Sequence, residues 1–213
     1  LASQTTKPVL DPLDRTTEAV FGLLMALTFT GAASVVSVEN PGQILAAALA
    51  CNIAWGFTDA VMYLLSTSIG RRRRGVFLAR MRTADPDEAT GLLRDALGDL
   101  LPEQTSPQRI GVLVEWTQEA GRDGIATRLG ADDYRAALAV FLTVVGATFP
   151  PVVPLFLFED GWTALRISNL VSLLFLVLMG RVLDRLIDGR WRFGLLMPVI
   201  GLGLVSTIIA LGG

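Results

Sequence analysis

Asp59 stands inside the string "ILAAALACNIAWGFTDAVMYLLSTSIG", which is otherwise almost wholly apolar. A carboxylate at mid-membrane depth costs about 2.5–3.5 kcal/mol on insertion scales, so such a residue faces the bundle interior and has a partner or a task. Asn52, seven residues earlier, and Met62, three residues later, fall on the same face of a helix as Asp59. Glu18 opens another apolar run, which also carries Met25. Together these five residues offer carboxylate, amide and thioether donors. The bland alternative for Asp59 is a structural hydrogen bond to another helix.

The residue types that are missing narrow the chemistry. The chain has no histidine, which removes the commonest transition-metal ligand and the usual near-neutral proton carrier. Its single cysteine, Cys51, excludes a CxxC motif or an internal disulfide and reads as a small packing residue in an apolar run. Metal or proton chemistry must therefore use carboxylates, amides, carbonyls or methionine sulfur. A second set of acids lies between 71 and 133. Asp95/Asp99 and Glu115/Glu119 are each spaced i, i+4, and Glu88 sits on a neighbouring helical pattern. Such pairs can ligate a divalent cation through oxygen, or pair with Arg94 and Arg122 as ordinary surface charge. We see no nucleophile and base pair, phosphate loop or metal-hydrolase motif, so no enzyme is expected.

The elements that must position these residues are membrane helices. Of 213 residues 52% are hydrophobic and 18% charged, and the mean hydropathy is positive, a composition foreign to soluble domains. Apolar runs at 19–38, 44–69, 136–158, 167–183 and 193–211 each approach or exceed the roughly 18 residues needed to span. The first is expected to be a span and not a signal peptide, because four more follow. The fold class expected is therefore all-α, with five transmembrane helices and a small cytoplasmic helical domain between helices 2 and 3. Its parts are 1–70 (tail and helices 1 and 2), 71–133 (cytoplasmic domain) and 134–213 (helices 3 to 5).

Charge gives the orientation. Of eighteen Lys and Arg, only Arg166 falls in a connection expected outside, so the positive-inside rule places the N-terminus in the cytoplasm and the C-terminus outside. The run Arg71 to Arg74 suits topology and anionic headgroups; no aromatic or groove-reading pattern accompanies it, so nucleic acid is not an expected partner. Within the inserted domain, Asp85, Pro86 and Glu88 form a helix start, Ser106 and Pro107 another, and Ile110, Leu113, Val114 and Thr117 share one face.

The stretch "VVGATFPPVVPLFLF" puts Pro150, Pro151 and Pro154 into a span. Prolines remove hydrogen-bond donors and crowd the preceding turn, so a kinked or locally unwound helix is expected there. With Gly146 and Phe141 before them, these prolines resemble the third span of the vacuolar iron transporter family, and "MGRVLDRLIDGRWRFGLLMPVIGLGLVSTIIALGG" looks like that family's last two spans.

The resemblance implies a homodimer that exchanges ferrous iron or manganese for protons, along a path lined by the first spans, with cytoplasmic glutamates gathering metal. On it, Asp59 takes the place of an intramembrane glutamate and Met25 that of an intramembrane aspartate. Glu88, Glu115 and Glu119 are the gathering acids. The expected function is thus proton-coupled export of Fe2+ or Mn2+, as transported ion with no permanently bound cofactor, from a bacterial plasma membrane, with lipid and a second copy as partners. The alternative is a membrane scaffold or regulatory subunit that kept the five-helix frame and lost the ion path.

Overall fold

A computed structural model describes residues 10–33, 41–98, 102, 105–120, 128–187 and 192–212. Among them the chain forms eight helices: α1 (Pro12–Ala33), α2 (Pro41–Thr83), α3 (Pro86–Leu97), α4 (Pro107–Ala120), α5 (Ala131–Ala147), α6 (Phe149–Leu157), α7 (Gly161–Ile187) and α8 (Arg192–Gly212). Helices close their backbone hydrogen bonds within one segment, which is what hydrocarbon demands of a single-chain span.

Four stretches are long and apolar enough to cross a membrane: Pro12–Ala33, Leu45–Thr83, Ala131–Leu157, which joins α5 and α6, and Arg192–Leu211. The expected count was five. The run at 167–183 lies in α7, which is not one of the four. Instead α7 is the helix around which α8, α1 and α6 pack.

The chain divides into two compact units, Leu64–Asp133 and the remainder, with the division falling inside α2 and near the start of α5. In the remainder, Val20, Leu23 and Leu27 of α1 meet Leu176 and Leu183 of α7, with Met197 and Val205 of α8 packed against them. Lipid tails are as apolar as leucine, so contacts of this kind hold helices together by close packing more than by exclusion of water. At one end of α7 the carboxylate of Asp184, 1% exposed, accepts from the backbone N–H groups of Phe193 (2.8 Å) and Gly194 (3.0 Å). It thereby satisfies donors at the start of α8 that no intrahelical carbonyl can reach.

The proline run is where a helix breaks. α5 ends at Ala147 and α6 begins at Phe149, with Thr148 between them. Pro150 and Pro151 occupy the first turn of α6, where a missing N–H is harmless. Pro154 lies inside α6. The Ser168 hydroxyl of α7 donates to the Pro151 carbonyl at 2.6 Å, giving the disturbed backbone a partner from a neighbouring helix.

In the unit Leu64–Asp133, Met81 of α2 packs with Ala89 and Leu93 of α3 and with Ile110 and Val114 of α4. The Asp85 side chain caps α3 by accepting from Asp87 and Glu88 N–H. Gly98 ends that helix with φ +45°, a left-handed backbone that glycine adopts without strain. Arg71 donates to Asp133 Oδ1 at 2.6 Å and to the Arg128 carbonyl at 2.7 Å, joining the two ends of the unit.

Candidate functional site

Glu18 and Asp59 face each other. The two carboxyls, from α1 and α2, are near enough to interact electrostatically. One level along, Phe21 and Trp55 meet edge to face, with ring centroids 6.1 Å apart and planes at 73°. These two pairings fix the register. Going up α1 from 18 to 21 corresponds to going down α2 from 59 to 55, so the helices are antiparallel neighbours. Seven residues further from the carboxyl pair, about 10 Å at 1.5 Å per residue, the same register brings Met25 and Asn52 to one level.

Glycines let the helices come this close. A Cβ on Gly22 would lie 2.6 Å from the Val144 carbonyl oxygen of α5, and one on Gly56 would lie 3.0 Å from Val145 Cγ2 and 3.2 Å from Phe141 Cδ2. The α2 face that carries Asn52, Gly56 and Asp59 is thus turned toward α1 and α5, as expected for intramembrane polar residues.

The electrostatics of the pair follow from its chemistry. Two ionised carboxylates are acceptors only, so such a pair can be bridged only by a proton or by a cation. Asp59 Oδ2 is buried and has no hydrogen-bond partner. Asp14, one turn before Glu18, adds a further negative charge on α1. Asn52 is 1% exposed and neither its amide nitrogen nor its amide oxygen has a partner. Such a group costs roughly 1–3 kcal/mol, an expense that structural packing alone does not explain.

The other expected site residues are placed differently. Met62 was read as sharing the face of Asp59, but its side chain is 53% exposed. It lies off the edge of the inward face, since ten residues from Asn52 amount to a rotation of about 80° at 3.6 residues per turn. Met25 is half-buried on α1. Glu88, Glu115 and Glu119 are exposed on α3 and α4, and among the described residues no three acidic or cysteine side chains come together as a metal-binding group. Asp99 and Arg122 lie outside the described residues.

Sequence reasoning passed over a second set of polar contacts between apolar helices. Thr30 Oγ1 lies 2.6 Å from Asn169 Oδ1, linking α1 to α7, while Ser168 and Ser172 are fully buried on α7. Ser168, Asn169 and Ser172 are polar interruptions one turn apart in an apolar run, a signal present in the sequence. No protein-family model matches the chain, and no curated protein matches it.

Proposed function

We propose that the chain is a proton-coupled transporter of a divalent cation, Fe2+ or Mn2+, in which the Glu18–Asp59 pair alternates between holding a proton and holding the ion. The observation that carries this reading is the contact of the two carboxyls, one from each of two apolar helices, on a face that also buries an unpartnered amide. A divalent cation placed between them would find carboxylate oxygen ligands from two helices, where a proton would otherwise bridge the pair. Met25 and Asn52 form a second level, about 10 Å along the helices, where a thioether and an amide oxygen are available to the same ion. Phe21 and Trp55 stand between the levels as an aromatic step. Oxygen and thioether donors without imidazole suit ferrous or manganous ion.

In this reading α7 completes a frame of five spans, the N-terminus is cytoplasmic and the C-terminus outside, in a bacterial plasma membrane. A second copy packs against apolar side chains that α2 and α8 leave exposed, such as Phe57, Val61, Val199 and Leu202. Flux of Mn2+ into proteoliposomes under an imposed proton gradient tests the reading: Asp59→Asn abolishes gradient-driven uptake, and unchanged uptake contradicts it.

A non-transporting scaffold is the second reading. It is favoured by the lack of any three-ligand cluster among the described residues and by the outward side chain of Met62. Equilibrium binding of Mn2+ separates the two, since a scaffold has no saturable site.

A further inference from the structure

The arginine run 71–74 does more than one job. Arg71 is committed inside its own unit, to Asp133 and the Arg128 carbonyl. Arg72 and Arg73, with Arg80 two turns on, line a groove of about 410 Å³. Its floor is apolar: Ile69, Val76 and Phe77 from α2 and Leu92 from α3. Positions 69, 72, 73, 76, 77 and 80 follow the spacing of a single helix face, so guanidiniums and apolar side chains interleave along one wall. No acidic residue lines the groove. Among the described residues the guanidiniums of Arg72, Arg73 and Arg80 have no hydrogen-bond or ion-pair partner.

We infer that this groove binds an anionic phospholipid, its phosphate held by Arg72, Arg73 and Arg80 and part of an acyl chain laid over Val76, Phe77 and Leu92. Charge complementarity selects the occupant. Three unpaired guanidiniums call for an anion, and an apolar floor excludes a fully hydrated one. The groove starts at Ile69, the last residue of the apolar run of α2, and arginines that directly follow such a run are attracted to anionic headgroups. Its volume lies within the roughly 300–1,000 Å³ usual for small-molecule sites. Nothing in this inference depends on ion transport.

The test uses the full chain in neutral detergent micelles, titrated with phosphatidylglycerol or phosphatidylcholine, with retained lipid counted by native mass spectrometry. Saturable retention of phosphatidylglycerol over phosphatidylcholine is expected. R72Q/R73Q/R80Q lowers its apparent affinity by roughly a hundredfold, from about 1 kcal/mol of surface attraction per arginine. Val76→Gln keeps every charge, and it weakens long-chain phosphatidylglycerol while sparing the dihexanoyl form. Among the described residues these guanidiniums make no hydrogen bond or ion pair, so the triple variant retains its fold by circular dichroism. Equal retention of both lipids overturns the inference, as does an unaffected triple variant. So does displacement of lipid by millimolar inorganic phosphate, or a triple variant that dissociates a dimer without changing lipid retention, which would make the groove a protein interface.

Discussion

Gly180 of α7 lies against the Phe193 backbone of α8 so closely that a Cβ added to it would clash with the Phe193 carbonyl. The same corner holds Asp184, whose carboxylate accepts from Phe193 and Gly194 N–H. Gly180→Ala forces the two helices apart, an overpacking that costs about 1–3 kcal/mol. Asp184→Ala leaves two buried N–H groups without an acceptor, at about 1–3 kcal/mol. Thermal unfolding in detergent should show both variants less stable than the parent. Their combination should fall short of additivity, because both act on one contact.

Ser168 supplies the Pro151 carbonyl with a hydroxyl donor at 2.6 Å. Ser168→Ala removes the donor and should lower stability by about 1 kcal/mol, whereas Ser172→Ala, whose hydroxyl returns to its own helix at the Ser168 carbonyl, should change it less. Denaturant or thermal titration of the two variants side by side gives the comparison.

Asp160 precedes α7 and is exposed. The Thr163 hydroxyl and backbone N–H donate to it and hold its carboxyl below the usual carboxylate range. A depressed folded-state value means that the charged form contributes stability above the unfolded value, near 3.9, and that this contribution is lost as pH falls through the folded value. Asp160→Asn should therefore lower the melting temperature at pH 7, and its difference from the parent should shrink as the pH is taken below 4. A difference that is constant with pH assigns the effect to shape and not to charge.

In the unit Leu64–Asp133, Asp85 caps α3 with bonds of 3.1 and 2.8 Å to Asp87 and Glu88 N–H, and Met81 is 0% exposed at the centre of the cluster. Asp85→Ala should cost about 0.5–2 kcal/mol. Met81→Ala should cost about 2–5 kcal/mol, the usual range for emptying a core position. Hydrogen exchange at α3 and α4 amides should report both losses locally.

Helix content, the apolar stretches and the cap at Asp85 are legible in the sequence because each rests on neighbouring residues, through periodicity or turn chemistry. The break at Thr148 is legible for the same reason, since proline geometry is local. The role of α7 is not: its apolar run gives length and composition, whereas its central position follows from close approaches such as Gly180 against Phe193. The candidate site was half legible. Asp59 and Asn52 announce themselves as polar residues in an apolar run. The closeness of Glu18 depends on the antiparallel register of α1 and α2, set by Phe21 against Trp55 and by Gly22 and Gly56 against α5, which no single-helix pattern contains. Met62 is more exposed than Asp59 because a three-residue step carries a side chain to the edge of a face and not to its middle.

In the proposed function a divalent cation displaces a proton from the Glu18–Asp59 pair. Metal binding to protonated ligands releases protons, so the most direct measurement is the pH change on adding Mn2+ to the purified chain in weakly buffered detergent. Saturable release of about one proton per Mn2+ bound is expected, lost in both Glu18→Gln and Asp59→Asn. Saturable Mn2+ binding without proton release, or release that persists unchanged in both variants, would contradict it.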